Sequence, residues 1–425
     1  MPTAGRRLET PTRDRLFELY ADTEALSRNL LFAEIAVIAA ACFWVLLGPT
    51  SIAGPWPWIS AAVGGFGVFR WVLHHWFLNS KRLADIRPDA RFGVHTRDSL
   101  LALVQRVFAK LELPANAAPV FMTRAKDVNA HALRCELLPG LHAFNGVFLN
   151  RAIIHLLDEP ELESVVGHEL GHVFPYAPLL SRCYLLHAAC AAAVSFAFAA
   201  TFNTSAAVLL APFAMLWILD WVIAFPHLRL SRGIEFLCDD FGAQAAGLIP
   251  ALSSEFKIGA ESEARQQILA HLLDATGRGK TIDPSELMEV YESAVPFGRS
   301  DPTAARLEIE RLSASRGQAD RRTSLGGFIR YLGERGDSGD QQEAIGEELA
   351  RLKVVSELPL VPLDREPYLH GSAGWTMDNA ARLTRTLEEH PHAVLFRQAE
   401  ELTDEFTTHP NVSRRILFLW RNRSV

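Results

Sequence analysis

Long apolar runs constrain this chain more than any other feature of its sequence. Residues 30–47 are apolar apart from Glu34, and residues 56–78 form a second run after an uncharged loop. A helix of about 20 apolar residues is long enough to cross the hydrocarbon core of a bilayer. Residues 30–78 are therefore predicted to form a transmembrane helical hairpin, with Glu34 in an interhelical or snorkelling contact.

Two further apolar runs, residues 184–202 and 206–225, flank a short polar stretch near the middle of the chain. They predict a second transmembrane hairpin over residues 184–226. Such a pair could also form a buried hairpin in a large soluble core, but two adjacent runs of about 20 apolar residues favour the membrane. Asp220 is a lone acid in the fourth run and is interpreted, like Glu34, as a structural contact.

Positively charged residues flank the four runs at the ends that lie away from the two predicted hairpin tips. The two predicted hairpin tips carry no lysine or arginine. The opposite ends carry Arg28, Lys81, Arg82, Arg87, Arg182, Arg229 and Arg232. Because lysine and arginine are retained on the cytosolic side of membrane proteins, the N-terminus and all residues outside the hairpins are predicted to face the cytosol.

Charge and cysteine content exclude other classes of protein. The formal net charge is −7 and no long basic run is present, so the sequence predicts no nucleic-acid partner. The five cysteines are odd in number and have no repeated spacing. They indicate neither a disulfide framework nor a cysteine metal site, and they fit a reducing compartment.

A His-Glu-x-x-His sequence lies inside a predicted helix. Asp158 can cap this helix, and apolar residues recur at helical spacing through residues 159–174. His168 and His172 are four residues apart, so both imidazoles project from one face and can bind one metal ion. Glu169 is rotated by about 100° around the helix axis. It is therefore predicted to act on a metal-bound water as general base and not to bind the metal.

A third metal ligand is predicted downstream. Residues 231–245 follow the fourth apolar run and indicate another helix. Glu235 can complete a site of two histidines and one carboxylate with an open fourth position, which predicts one Zn²⁺ per chain. Asp239, on the same helix face, can accept a hydrogen bond from the second ring nitrogen of a ligating histidine. Glu235, Asp239 and Asp240 could instead form an ordinary solvated acidic face, but the nearby histidine pair favours the metal site.

Three motifs resemble those of the M48 metallopeptidases, a family that includes the membrane protease HtpX, a mitochondrial membrane protease and the CAAX prenyl endopeptidases. Residues 168–172 match the family's HExxH motif. Residues 231–239 match its SRxxExxAD motif, with Cys238 where alanine is usual, and residues 129–132 match its NAxA segment. The resemblance covers about residues 85–250.

The resemblance implies a gluzincin-like metallopeptidase domain, mainly α with a small β-sheet (α+β), and two transmembrane hairpins as in HtpX. An edge strand of the sheet is expected to lie along the substrate cleft and to pair with an extended peptide. Residues 143–148 are expected to form that strand. The candidate substrate-binding residues are Asn129, Ala130, Ala143, Phe144, Asn145 and Gly146.

The family often carries a His-Pro…Arg segment after its glutamate ligand, and two segments could correspond to it. Residues 301–306 stand at about the expected distance but begin with Asp301 in place of histidine. Residues 409–415 match more closely but come much later. Both alternatives stay open, and the group that would stabilise an oxyanion is unassigned, with His131 a weak candidate.

The chain is thus predicted to be an integral membrane protein of a bacterial inner membrane that acts as a zinc endopeptidase on membrane or membrane-proximal proteins. The alternative is a catalytically inactive membrane scaffold, which an intact general base disfavours. Oligomeric state and the role of the last segment stay open. The predicted segments are 1–29 (cytosolic N-terminal segment), 30–78 (hairpin 1), 79–183 (peptidase domain, first part), 184–226 (hairpin 2), 227–250 (helix of the glutamate ligand) and 251–425 (mostly helical C-terminal region).

Overall fold

The computed structural model describes residues 10–423 except for residues 53, 78–79, 115–117, 135–144, 178, 180–182, 203–204, 278–283, 316–349 and 399–408. The described part is mostly helical and contains a small mixed sheet, which confirms the predicted α+β class. The helices are α1 (Arg13–Leu47), α2 (Trp56–Phe77), α3 (Arg97–Lys110), α4 (Arg151–Leu156), α5 (Glu159–Val173), α6 (Tyr184–Phe202), α7 (Ser205–Ala246), α8 (Leu248–Gly277), α9 (Pro284–Ala294), α10 (Pro302–Ser315), α11 (Met377–Glu389) and α12 (Val412–Arg421). The strands are β1 (Ser80–Arg82), β2 (Arg91–Phe92), β3 (His95–Thr96), β4 (Val120–Thr123), β5 (Ala130–Leu133) and β6 (Gly146–Asn150).

The four apolar runs lie in helices α1, α2, α6 and α7, which pack against one another. Within the described residues, α1 and residues 185–202 of α6 are long and apolar enough to cross a membrane. Only 11% of the most apolar window of α1 is buried, and Phe32, Phe43 and Leu46 are exposed on it. A core helix of a soluble protein would bury most of such a surface, which α1 does not.

Glu34 of α1 makes an interhelical contact, one of the two roles expected for it. Its carboxylate oxygens lie 2.8 Å from Nδ1 of His187 on α6, and both side chains are buried. The pair therefore joins the first and third apolar helices. The side chain of Asp220 lies outside the described residues.

The prediction that residues 231–245 form a separate helix is wrong, because residues 205–246 form one continuous helix that includes Pro226. Proline usually ends a helix because it lacks an amide hydrogen and clashes with the preceding turn, but long apolar helices tolerate it where neighbouring helices support the backbone. Helix α1 begins at Arg13, so residues 13–29 continue into the first apolar run without a break.

The four-stranded sheet has the order β1-β4-β6-β5, with β4 and β6 parallel and the other pairs antiparallel. The prediction that residues 143–148 form an edge strand is wrong, because β6 lies between β4 and β5 and all five of its residues are buried. A short run without polar alternation is typical of such an interior strand. The edge next to the HExxH helix is β5, which pairs with β6 and contacts α5.

Two hydrophobic cores join at the HExxH helix. The first lies between the sheet and helices α3 to α5 and includes Leu103, Val147 and Leu162. The second is built by α8, α11 and α12 and includes Phe256, Leu383 and Ile416. Helix α8 packs against both α5 and α7, so the C-terminal region of unassigned role is part of the body that holds the motif helices.

Candidate metal centre

The sequence starts α5 at a well-defined point. Asp158 accepts a hydrogen bond from the amide of Glu161 at 3.0 Å, and the Glu161 carboxylate accepts one from the amide of Asp158 at 2.8 Å. This reciprocal cap satisfies amides that the first turn would otherwise leave without partners. The carboxylate of Asp158 also accepts hydrogen bonds of 2.9 Å from the amide and hydroxyl of Ser372. The C-terminal region therefore helps to fix the HExxH helix.

Glycines let α5 and α7 approach closely where the ligands meet. A Cβ atom on Gly242 would lie 2.5 Å from the carbonyl oxygen of Ser164, and one on Gly171 would lie 2.9 Å from Sγ of Cys238. Larger residues at either position would force the two helices apart. Gly171 of the motif thus lets α5 approach α7 closely enough for the two histidines to lie near the carboxylate of Glu235.

His168, His172 and Glu235 bring three donor atoms together. The two Nε2 atoms are 3.2 Å apart. Nε2 of His168 lies 3.4 Å from Oε2 of Glu235, and Nε2 of His172 lies 3.4 Å from Oε1. Ligand atoms about 2.1 Å from a tetrahedral zinc stand about 3.4 Å from one another. The three residues therefore fit a zinc ion without rearrangement, and their donor set of two imidazoles and a carboxylate suits it.

Asp239 orients the first histidine. Its Oδ1 lies 2.8 Å from Nδ1 of His168, so this nitrogen carries the hydrogen of the neutral ring and Nε2 is the nitrogen that can bind a metal. Arg415 of α12 donates to both oxygens of Asp239, with Nε at 2.8 Å from Oδ2. Its Nη1 also lies 2.8 Å from the carboxylate of Glu255 on α8. A largely buried chain of charges thus runs from His168 through Asp239 and Arg415 to Glu255.

The His409 segment, and not the Asp301 segment, lies at this centre. Nδ1 of His409 lies 3.0 Å from Oε2 of Glu235, and its side chain is 64% exposed. Asp301 instead caps α10, where it accepts a hydrogen bond of 2.9 Å from the amide of Thr303. His409 therefore places an accessible imidazole beside the donor cluster.

Burial and neighbouring charges set the protonation of the donor groups. Burial lowers the pKa of His172 to about 4, so this imidazole is neutral at neutral pH, as a metal ligand must be. Burial disfavours the charged form of His168 too, but hydrogen bonds to Asp239 and Glu235 raise its pKa to about 10. Burial opposes ionisation of Glu235, yet the nearby His172 and His409 hold its pKa well below the usual range. Two donors are ready for a cation, and His168 must first lose a proton.

Glu169 is a buried carboxyl beside this cluster. Burial raises its pKa to about 7, against the opposing charge of His168. A carboxyl with this pKa exchanges a proton readily at neutral pH, which is the property required of a general base that later acts as an acid.

The candidate substrate-binding residues fall into three groups. Asn129 precedes β5 and Ala130 begins it, so both lie on the sheet edge beside α5. Asn145 is buried, and Gly146 packs against Phe121 inside the sheet. Ala143 and Phe144 lie outside the described residues. His131, a weak candidate for the oxyanion, stacks on Phe148 with 4.8 Å between ring centroids.

Sequence reasoning missed Glu255 and left His409 and Arg415 in one of two alternative segments. The His-Pro…Arg pattern was a usable signal for His409 and Arg415. Glu255 lies in α8 without a motif around it, and only its buried contact with Arg415 identifies it.

A family model described as peptidase family M48 matches residues 95–422. The match spans the HExxH helix, Glu235 and the His409–Arg415 segment, and it extends well beyond the stretch where the motifs alone were evident. Neither a curated protein nor a solved structure gives a significant match.

Proposed function

Because the chain belongs to peptidase family M48, we propose that it is a membrane-anchored zinc endopeptidase that hydrolyses peptide bonds of protein substrates. The observation that carries this proposal is the spacing of 3.2–3.4 Å among the donor atoms of His168, His172 and Glu235. The buried Glu169 beside them supports catalysis over a purely structural metal site. An inactive scaffold would need no such base.

In the proposed mechanism His168, His172 and Glu235 hold one zinc ion. When bound, the ion supplies Lewis acidity that polarises the scissile carbonyl and lowers the pKa of a water molecule. Glu169 accepts the proton of the attacking water and delivers it to the nitrogen of the leaving amine. Its pKa of about 7 suits both transfers at neutral pH. Asp239 keeps His168 in the tautomer whose Nε2 has a free lone pair for the metal.

His409 is the residue that we propose to stabilise the developing oxyanion. The carboxylate of Glu235 raises the pKa of His409, which favours the charged imidazolium as a hydrogen-bond donor. Its side chain is 64% exposed, so a bound peptide can reach the ring. A donor aimed at the charge that develops in the transition state is among the largest single contributions to catalysis.

We expect His409→Ala to lower kcat by about 10²-fold with a small change in KM, because the lost interaction forms chiefly in the transition state. Steady-state kinetics on a fluorescently labelled unfolded casein would measure both constants. His390→Ala, at a histidine remote from the cluster that contacts the carbonyl of Thr386, is the matched control. Equal kinetics in the two variants would remove His409 from the mechanism.

The β5 edge of the sheet suggests how protein substrates bind. An extended peptide that adds to β5 would gain backbone hydrogen bonds that do not depend on its side chains. This mode suits an endopeptidase that cleaves unfolded or misassembled proteins. Processing of one specific substrate uses the same chemistry and is the second candidate.

The continuity of α1 and α7 supports action close to a membrane. Glu235 and Asp239 lie on the same helix as the fourth apolar run, and a helix rises about 1.5 Å per residue. Glu235 and Asp239 would therefore lie within roughly 20 Å of the bilayer surface. With two hairpins and the positive-inside orientation, we propose that the centre faces the cytosol of a bacterial inner membrane and acts on membrane or membrane-proximal proteins.

The first experiment measures zinc in protein solubilised with detergent from alkaline-washed membranes. We expect about one zinc per chain in the wild type and almost none in Glu235→Ala, because two histidines alone bind zinc far more weakly. Glu263→Ala, at a buried glutamate of α8 paired with Arg365, controls for general loss of a buried carboxylate. A folded wild type that takes up no zinc would contradict the metal site, and a chain released by the alkaline wash would contradict the membrane anchor.

A further inference from the structure

The part of α1 that precedes the first apolar run contacts the helices of the metal centre. We call residues 13–27 the N-terminal brace. It continues into the first apolar run without a break, so it is a rigid extension of that helix. The family match begins at residue 95, after the brace.

An apolar residue of the brace packs on α7 and α12, two helices that carry residues of the metal centre. Leu16 is buried against Phe236 and Leu237 of α7 and Phe418 of α12. Both helices carry members of the charged chain, since α7 holds Asp239 and α12 holds Arg415. A shift of the brace would therefore move both ends of the pair that orients His168.

The brace also holds the connection that follows the HExxH helix. The hydroxyl of Tyr20 donates to the carbonyl oxygen of Ala177 at 3.3 Å. The carboxylate of Glu24 accepts a hydrogen bond of 2.7 Å from the amide of Leu179. Contacts from one helix thus reach α7, which carries Glu235 and Asp239, α12, which carries Arg415, and the segment that follows α5.

Arg13 makes the contact nearest to the metal ligands. Its guanidinium pairs with the carboxylate of Asp240, the residue after Asp239. Asp240 is buried, with an exposed side-chain fraction of 11%, and its other oxygen accepts a hydrogen bond of 3.3 Å from Gln244. Removal of Arg13 would leave a poorly compensated buried anion one residue from Asp239, where it would compete for positive charge and disturb the end of α7.

We propose that Arg13 is a positioning residue of the peptidase centre. It neutralises Asp240 and, with Leu16, fixes α7 against α12, so that Asp239 and Arg415 pair only with their own partners and hold His168. The inference rests on the proposed peptidase function. Arg13 touches neither metal ligand nor substrate and acts through Asp240.

The chain contains a matched control for this proposal. Arg15 lies on the same helix and pairs with Glu18, but both side chains are about two-thirds exposed. Exposed ion pairs of this kind contribute little. A difference between the Arg13 and Arg15 variants therefore reports the buried contact and not the loss of one arginine from α1.

Kinetics of the full-length, zinc-loaded protein in detergent test the proposal, with labelled unfolded casein as the substrate. We expect Arg13→Gln to lower kcat about tenfold, the lower end of the range for groups that support metal ligands, with KM nearly unchanged. Arg13→Lys should recover much of the rate, and Arg15→Gln should match the wild type. The double variant that combines Arg13→Asp with Asp240→Arg should have a higher kcat than Arg13→Asp alone, because it restores a pair of opposite charges. Equal kcat in Arg13→Gln and Arg15→Gln would overturn the proposal.

Cobalt(II) in place of zinc separates this inference from the proposed function. The visible absorption of cobalt responds to the geometry of its ligands and requires no substrate. We expect Arg13→Gln to shift this spectrum and Arg15→Gln to leave it unchanged. If Arg13→Gln shifted the spectrum but the wild type had no peptidase activity, the proposed function would be contradicted and the positioning role of Arg13 would still be supported. Full activity with neither a spectral shift nor a kcat change in Arg13→Gln would contradict the positioning role alone.

Discussion

Glu169→Gln is expected to lower the rate of proteolysis by about 10³-fold while zinc stays at about one per chain. Glutamine keeps the size of the buried side chain but cannot accept a proton, and general base catalysis contributes about 10²- to 10⁴-fold. The three donor residues are untouched, so the metal should remain. Turnover of labelled unfolded casein and zinc content of the same preparation are the two measurements.

The variant should also be at least as resistant to heat as the wild type at pH 8. Burial raises the pKa of Glu169 to about 7, so at pH 8 the carboxyl is mostly ionised and its desolvated charge destabilises the folded state, a cost that neutral glutamine removes. Glu159→Gln is the control, since Glu159 lies in the first turn of the same helix with a side chain 51% exposed. We expect it to keep activity within about twofold. Loss of zinc from Glu169→Gln, or retention of a tenth of the activity, would contradict the assigned role.

The local half of the centre could be predicted from the sequence because its signals are local. His168 and His172 lie one turn apart on a helix that begins at a cap formed by Asp158 and Glu161, two residues close together in the sequence. The bounds of α6 follow equally from the length of an apolar run, and the predicted range of 184–202 is that of the helix. Period, cap and run length are each set by neighbours in the chain, so no tertiary information was needed.

The distant half depends on packing that no local pattern specifies. Arg415 lies 176 positions after Asp239. Its location is decided by the burial of Ile416 and Leu417 in the C-terminal core. The two His-Pro…Arg alternatives could not be separated for the same reason, since each is a plausible loop-helix junction on its own. The edge strand was misplaced because residues 146–150 give an apolar run whose neighbours on both sides come from elsewhere in the chain.

Arg415→Met is expected to destabilise the protein more than any other single change in the charged chain. The Arg415 side chain is only 14% exposed and pairs with two buried carboxylates, Asp239 and Glu255. Removing one partner of a buried ion pair typically costs about 3–5 kcal/mol, because the remaining charge stays desolvated. A loss of this size should lower the midpoint of thermal unfolding by about 5–10 °C. Zinc affinity should fall about 10- to 100-fold, because Asp239 loses the group that holds it against His168.

A second substitution separates the two effects of Arg415→Met. Burial already raises the pKa of Glu255 to about 7, so Glu255→Gln in the Arg415→Met background removes a carboxyl that is costly to ionise. We expect the double variant to regain part of the thermal stability but none of the zinc affinity, since Asp239 still lacks its arginine. Arg421→Met on the same helix breaks a half-exposed pair with Glu388 and should cost about 1 kcal/mol or less. If Arg415→Met unfolded and bound zinc like Arg421→Met, the charge of Asp239 would be compensated by His168 alone, and the orientation of the ligand histidine would not depend on the C-terminal helix.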